Sequence, residues 1–491
     1  MKQLLLLLSC FLLTACTSGA DRAAPGDELP PIYPDYAGVT IPCNIAPLNF
    51  MLRNNPDRVE VRVSGASGDM LVKTGGHKVR FPLAGWRALL EAEKGRTLTV
   101  TVTARVGGRW IRYAPFIWEV AGDKIDPFLS YRLIEPGYEV WNDIQLVERC
   151  AESFDERVIA DNNLAGGACM NCHIYGNQDP ALSFFHIRGG QGGMILNRGG
   201  RLEKLNVSSE GMISPLVYGG FHPTGRYGVF STNIIVPVFH TGQGEQMEVY
   251  DSASELVVVD FDRDNLIIPF PGDNAPVAAK PLRTFPVFSA AGDAVYYCEA
   301  TEPPALPGSI RHLRYSLHRI AFDTPGGSFG RVVDTLFDAS AERLSVCHPK
   351  ASPDGRYLMY TVSDYGAFPV WHREADLQMI DLRSGRIVEL PIVNAGGADS
   401  YHSWSSDSRW FVFSSRRDDG LYTRPYFSYI DSAGIASKPF ALPQRDPSLY
   451  DYTLKSFNIP ELSKGPLPFS ATDIVSLLNR GNHTRPARTG R

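Results

Sequence analysis

Apolar residues along this chain alternate with polar ones far more often than they recur at helical spacing. RVEVRV (58–63), LTVTVTARV (98–106), YGVFS (227–231), LVVVDF (256–261), YLMYT (357–361) and WFVFS (410–414) are bounded by Gly, Asp, Asn or Ser. Alternation closed by turn residues is the signature of half-buried strands. Only LAGWRALLEAE (83–93) and the segment 471–478 carry a helical period, so the chain is expected to be all-β.

The strand runs fall into two groups. Residues 36–122 hold short strands with tight turns and predict a small β-sandwich. From residue 125 to 470 a longer repeat appears. HPTGRYGVFS (222–231), SAAGDAVYYC (289–298), SPDGRYLMYT (352–361) and SSDSRWFVFS (405–414) share a small polar turn followed by an aromatic or apolar strand. Each is followed by a further strand, such as LHRIAFD or LQMID, that ends in Asp before another turn. A four-stranded unit of roughly 50–70 residues cannot bury both faces alone and must stack on copies of itself, which predicts a β-propeller. Two more units, around 129–150 and 183–207, bring the expected count to six blades, with seven left open. Residues 471–491 are read as a C-terminal tail.

The SPDGRYLMY and HSWSSDSRWFVFSS units resemble the repeats of TolB-type, WD-like propellers. In that family a Ser-Pro-Asp-Gly turn opens the inner hairpin of each blade. The resemblance covers four units, from about 215 to 440, and implies an envelope protein whose propeller serves as a binding scaffold.

Composition narrows the partners. A formal net charge of −5 offers no polyanion-binding surface, so nucleic acid is not expected. The start reads as export: Met1-Lys2-Gln3, an apolar run over 4–13, then Leu13-Thr14-Ala15-Cys16. The run is too short to span a bilayer and sits where a signal peptide's apolar region belongs. Leu-Thr-Ala-Cys resembles a bacterial lipobox, which implies cleavage after residue 15 and a lipid on Cys16. A Pro/Gly-rich tether follows to residue 35. The mature protein is then a lipoprotein of the cell envelope that touches membrane through its anchor alone, with Thr17 favouring the outer membrane.

Inside the exported chain stands GGACMNCHIYG (166–176), whose Cys169-Met170-Asn171-Cys172-His173 has the spacing of covalent haem c attachment. Two thiols add to the vinyl groups and the adjacent imidazole ligates the iron, which makes His173 the axial ligand. By composition such a match arises by chance in roughly a few chains per thousand. A redox disulfide lacks the βαβ context, and a zinc site lacks a second ligand pair. His186 is the nearest sixth-ligand candidate, whereas Met170 is poorly directed. The motif is expected between propeller units, as in haem-bearing propellers and, more distantly, the hydrazine synthase alpha subunit. The flanking glycines, 166–167 and 189–193, would let backbone approach a flat ring.

His222, His348 and His402 lie near equivalent strand starts and either line a channel mouth or bond neighbouring blades. Cys43, Cys150, Cys298 and Cys347 allow three disulfide connectivities. GGSFG (326–330) matches a hydrolase nucleophile elbow but sits strand to strand, so it reads as a hairpin turn. Arg416 and Arg417 are expected to pair with Asp418 or Asp419. The expected function is electron transfer or redox sensing by one haem c, with a protein redox partner. The alternatives are a haem-free propeller binding an envelope protein, peptide or glycan, and a haem-dependent oxidoreductase with an open iron position.

Overall fold

The computed structural model describes residues 20, 23–135, 143–188, 192–205, 207, 212–239, 247–270, 280–479 and 488–489. The expected signal peptide, Cys16 and Gly189-Gly190 lie outside the described residues. Among those described, six sheets form consecutive blades: five of four antiparallel strands, and blade 3, whose four antiparallel strands gain Arg488–Thr489 as a parallel fifth. The molecule is an all-β, six-bladed propeller, as the repeat predicts.

Each blade runs outward from an innermost strand: Met170–Gly176 in blade 2, Leu216–Phe221 in blade 3, Leu282–Phe288 in blade 4, Ser345–Ala351 in blade 5 and Asp399–Trp404 in blade 6. Blade 1 is assembled from both ends of the propeller. Its outer strands are Phe128–Ile134, Ile144–Cys150 and Glu156–Asp161, and Ser456–Ser463 returns as the innermost one. Phe457 and Leu462 of that closing strand are buried. Each contributes about 1.5–3 kcal/mol of apolar burial to holding the ring shut.

The Asp that ends the third strand in blades 3 and 5 has a structural reason. In blade 3 Arg226, from the first turn, reaches Asp260 at 2.6 Å, and in blade 5 Arg356 reaches Asp381 at 3.3 Å. The turns themselves need left-handed backbone at one position, supplied by Gly225 (φ 70°) and Gly355 (φ 70°). Blade 6 places Ser408 there at φ 61°.

The N-terminal domain pairs a six-stranded sheet, which includes Arg58–Gly65 and Thr97–Val106, with a three-stranded one, Ile32–Tyr33, Phe50–Leu52 and Lys78–Val79. The helix Leu83–Ala92 buries Trp86 and Leu90 at i, i+4 spacing. Trp86 Nε1 donates to the Ile45 carbonyl at 2.9 Å. This core does not stop at the domain boundary. One apolar cluster runs from Val61 and Trp118 through to Met359 and Met379 of blade 5 and Trp404, Trp410 and Phe427 of blade 6. Asp126 accepts from the backbone N–H of Ser406 at 2.8 Å, and Tyr429 donates to Asp123 at 2.6 Å.

The expected tail contains the helix Ala471–Asn479. Ile474 packs with Leu467 and Phe469 over the seam between blades 1 and 2. Cys43, Cys150, Cys298 and Cys347 are all thiols, so none of the three disulfide connectivities is formed.

Candidate functional site

The haem-attachment motif is not inserted between blades, which corrects the expectation from sequence. Residues 170–176 are the innermost strand of blade 2, and the motif is in phase with the propeller repeat. In blade 2 the ladder slips between Asn171 and Ile174, so that Cys172-His173 forms a two-residue bulge. The same slip occurs at Val217-Tyr218, Phe285-Pro286, His348-Pro349 and Tyr401-His402. On the closing strand it falls at Ile459-Pro460. Phe285, His348, Tyr401 and Ile459 all have φ between 50° and 53°. Bulges redirect side chains away from the sheet faces, and here they aim them inward from every blade.

The result is a cavity of about 60 Å³ lined by His173, Tyr218, Phe285, His348, Tyr401 and His402, with Lys350 and Glu461 also on its wall. Phe285 lies 4.1 Å and Tyr401 4.6 Å from the His348 ring, centroid to centroid. The imidazoles are held neutral. Burial pushes His173 and His402 down to about 3, and it holds His348 well below the usual histidine range. His173 Nε2 lies 3.1 Å from the Ser130 carbonyl and His402 Nε2 3.0 Å from that of Met359. A carbonyl only accepts, so Nε2 carries the proton in both rings and the lone pair sits on Nδ1. Both Nδ1 atoms, and both ring nitrogens of His348, are buried without a hydrogen-bond partner.

The other predicted residues are distributed differently. Cys169 is 8% exposed and packs in the apolar seam between blades 1 and 2. Burial raises its thiol pKa, while Arg132 and Arg188 lower it. The Cys172 backbone belongs to the inner strand, and its side chain lies outside the described residues. His186 is paired in register with Asn171 but lines a separate cavity of about 380 Å³ with Gly192, Gly193 and Met194. The structure therefore does not bring His186 into the cavity that holds His173. Met170 is buried in the same seam as Cys169.

His222 is not equivalent to His348 and His402. It follows the inner strand of blade 3, and its Nε2 meets the Gly292 carbonyl and Thr324 Oγ1, each at 3.1 Å. It joins blade 3 to blade 4. Arg417 pairs with the buried Asp399 at 3.0 Å, and Arg416 lies 4.1 Å over the Trp371 ring. The expected partners are engaged elsewhere: Asp418 accepts from Tyr426, and Asp419 from the backbone of Leu421 and Tyr422. GGSFG joins Ser316–Asp323 to Ser328–Phe337 as a hairpin, with Gly326 N–H donating to Asp323.

Against haem, the donor chemistry and the space give different answers. A neutral buried imidazole with an idle lone pair, following two cysteines, fits the chemistry of an axial ligand. The cavity beside it, about 60 Å³, falls far below the several hundred Å³ typical of cofactor sites, and Cys169 packs in the seam rather than on the cavity wall. This arrangement does not accommodate the macrocycle.

No protein-family model matches the chain, and no curated protein does. Solved structures similar to it include prolyl oligopeptidase B from Galerina marginata, at 10% identity over 78% of this chain and 52% of that one, with a TM-score of 0.35. An endo-arabinase from Bacteroides thetaiotaomicron is similar at 11% identity over 54% of this chain and 89% of that one, with a TM-score of 0.29. The chain spans about half the length of the prolyl oligopeptidase. The likeness is one of fold and transfers no activity. Fold and site together define a six-bladed β-propeller whose central channel is walled by neutral histidines and aromatic rings.

Proposed function

We propose that this chain is a cell-envelope lipoprotein, anchored through Cys16, whose TolB-like propeller is a haem-free scaffold that binds an envelope protein, peptide or glycan. The observation that supports this reading is the channel, whose cavity of about 60 Å³ is too small for a macrocycle and excludes Cys169, packed in the seam between blades 1 and 2. The idle Nδ1 atoms of His173 and His402 are hydrogen-bond acceptors on its wall. The Ser130 carbonyl fixes the His173 tautomer. Tyr218, Phe285 and Tyr401 keep water from the ring nitrogens.

A propeller carrying one haem c on Cys169 and Cys172 for electron transfer or redox sensing is the second reading, and the His173 imidazole, which follows the second cysteine and is buried, neutral and unbonded at Nδ1, favours it. Covalent retention separates the two. On the second reading, protein produced with an active haem c maturation system gains the mass of one haem, keeps it through denaturing electrophoresis and gives a haemochrome spectrum; on the first it does none of these. Cys169→Ala with Cys172→Ala abolishes retention. Native envelope protein without haem mass or absorbance overturns the haem reading in favour of the scaffold.

A further inference from the structure

Two opposite charges stand in the channel without touching. Lys350 directly follows the bulge His348-Pro349 of blade 5, and Glu461 directly follows the bulge Ile459-Pro460 of the closing strand. They therefore hold the same position of the repeat on either side of blade 6. Both line the chamber of about 60 Å³, and both also line a second cavity of about 90 Å³ that continues from it toward the first turns of the blades, past Asn177, Ser289 and Ser352. Ile174 and Val287 are the other residues common to the two walls.

Among the described residues no hydrogen bond or ion pair reaches the Lys350 ammonium, and Glu461 Oε1 accepts only the Tyr175 N–H, at 3.3 Å, which leaves Oε2 unbonded. Glu461 is 6% exposed. Burial raises its carboxyl pKa, and Lys350 and the Tyr175 N–H act against that shift. The ammonium thus acts on the carboxyl across the cavity rather than by contact. An unpaired charge held out of water is costly, and a ligand that meets both charges at once relieves both costs.

We propose that the channel binds a free α-amino acid as its zwitterion, with the ligand carboxylate on Lys350 and the ligand ammonium on Glu461. A wall with one charge of each sign matches a ligand with one of each, whereas a simple anion or a simple amine leaves one wall charge unpaired. Charge-assisted hydrogen bonds of both signs also fix the ligand's direction. The idle Nδ1 atoms of His173 and His402 are acceptors for the remaining ammonium N–H groups. Tyr218, Phe285 and Tyr401 offer aromatic surface to a cation. The two cavities together hold roughly ten non-hydrogen atoms, at about one per 10–15 Å³. That admits an amino acid with a small or branched uncharged side chain. Such binding rests on the haem-free reading of the channel, since a haem ligated by His173 would take one of these nitrogens.

The test is isothermal titration calorimetry on the full chain, after mass spectrometry has read the state of Cys169 and Cys172. Glycine, L-alanine and L-leucine are the probes, and propionate and ethylamine are alanine stripped of one charge each. At least one of the amino acids should bind saturably, and propionate and ethylamine should bind weaker by about tenfold or more. Lys350→Gln and Glu461→Gln should each weaken amino-acid binding by about tenfold or more. Lys350 is half-buried and its ammonium bonds no other group, so Lys350→Gln keeps the test sound if Glu461→Gln folds poorly. No binding of any of the three amino acids to protein with unmodified cysteines overturns the inference and leaves the scaffold reading standing. Propionate or ethylamine binding as tightly as alanine overturns the zwitterion assignment, and binding that both variants leave unchanged overturns the site. A haem mass on the two cysteines overturns the scaffold reading and this ligand with it.

Discussion

His222 and His402 are buried to nearly the same degree, 2% and 3% exposed, yet their nitrogens are used in opposite ways. His222 spends both: the Thr224 N–H donates to Nδ1 at 3.1 Å, and Nε2 reaches across to blade 4. His402 spends one and leaves Nδ1 idle inside the channel, as His173 does, and His348 leaves both idle. A fully bonded imidazole at a blade junction is a structural tie. Idle imidazole nitrogens from three blades, gathered in one cavity, have no structural use that offsets their desolvation. Burial alone does not distinguish the two roles; the hydrogen-bond account of each ring does.

The largest expected consequence appears in acid. His173 and His402 titrate near 3 when folded and near 6.5 when unfolded. Between those values the unfolded chain binds protons that the folded chain refuses. Stability from these groups is complete above about pH 6.5 and is lost as pH falls toward 3. Each contributes about 1.4 kcal/mol per pH unit within that window. Asp251, Asp376 and Asp407, whose carboxyls are raised to between about 6 and about 7, act with the opposite sign. The measurement is therefore the difference between wild type and His402→Gln in urea unfolding at about pH 7 and about pH 5. The variant should lose less stability over this interval, by about 2 kcal/mol. Equal losses would show that the His402 ring is hydrated rather than sealed.

The junction histidine should respond differently. His222→Ala takes from the Gly292 carbonyl and Thr324 Oγ1 the ring nitrogen they share, leaving them their mutual hydrogen bond at 3.3 Å, and opens a gap beside Phe288, whose ring centroid lies 4.9 Å from the imidazole. A loss of about 2–3 kcal/mol is expected, visible as a lower urea midpoint at neutral pH. Haem retention, if the protein carries haem, should be unchanged. A variant that loses retention at unchanged stability would move His222 into the same class as the channel residues.

The propeller was legible because its signals are local. Alternating strands and polar turns recur within each unit, and ladder and turn follow from them; the Asp ending the third strand of blades 3 and 5 gives the ion pair. The two longer helices, Leu83–Ala92 and Ala471–Asn479, were legible for the same reason, as was the hairpin at GGSFG. The phase of the haem motif was not legible. Its relation to the repeat lies in the six inward bulges, whose sequences share little: NCHI, LVYG, TFPV, CHPK, SYHS and NIPE. Aligning the repeats on their inner strands would have put Cys172-His173 in the column of His348-Pro349 and Tyr401-His402. It would also have separated His222, which belongs to the turn. The continuity of the sandwich core with blades 5 and 6 left no sequence trace, because apolar strand faces look alike whether they meet within a domain or across a boundary. Asp399 as the partner of Arg417 was hidden similarly, since Asp418 and Asp419 are nearer in sequence and only the folded sheet brings Asp399 closer.

The smallest expected effect carries the sharpest sign. His348 occupies a bulge position with φ 53°, a conformation that ordinarily disfavours a bulky side chain. The equivalent position in blade 4 is Phe285, at φ 50°, so the fold already accommodates a phenyl ring on that backbone. His348→Phe removes two buried nitrogens that bond to nothing and adds little volume among Phe285, Tyr401 and Tyr218. Most substitutions of buried polar residues destabilise; this one should leave stability unchanged or raise it by about 1 kcal/mol. Denaturant unfolding at neutral pH, where the imidazole is neutral in both states, isolates the desolvation effect from protonation. A loss above about 1 kcal/mol would mean that His348 is bonded after all, through water or a ligand, and that the cavity is occupied in the resting protein. A gain would mean that the chain gives up stability to keep unbonded imidazole nitrogens at the centre of its channel, as expected of a site held ready for a ligand.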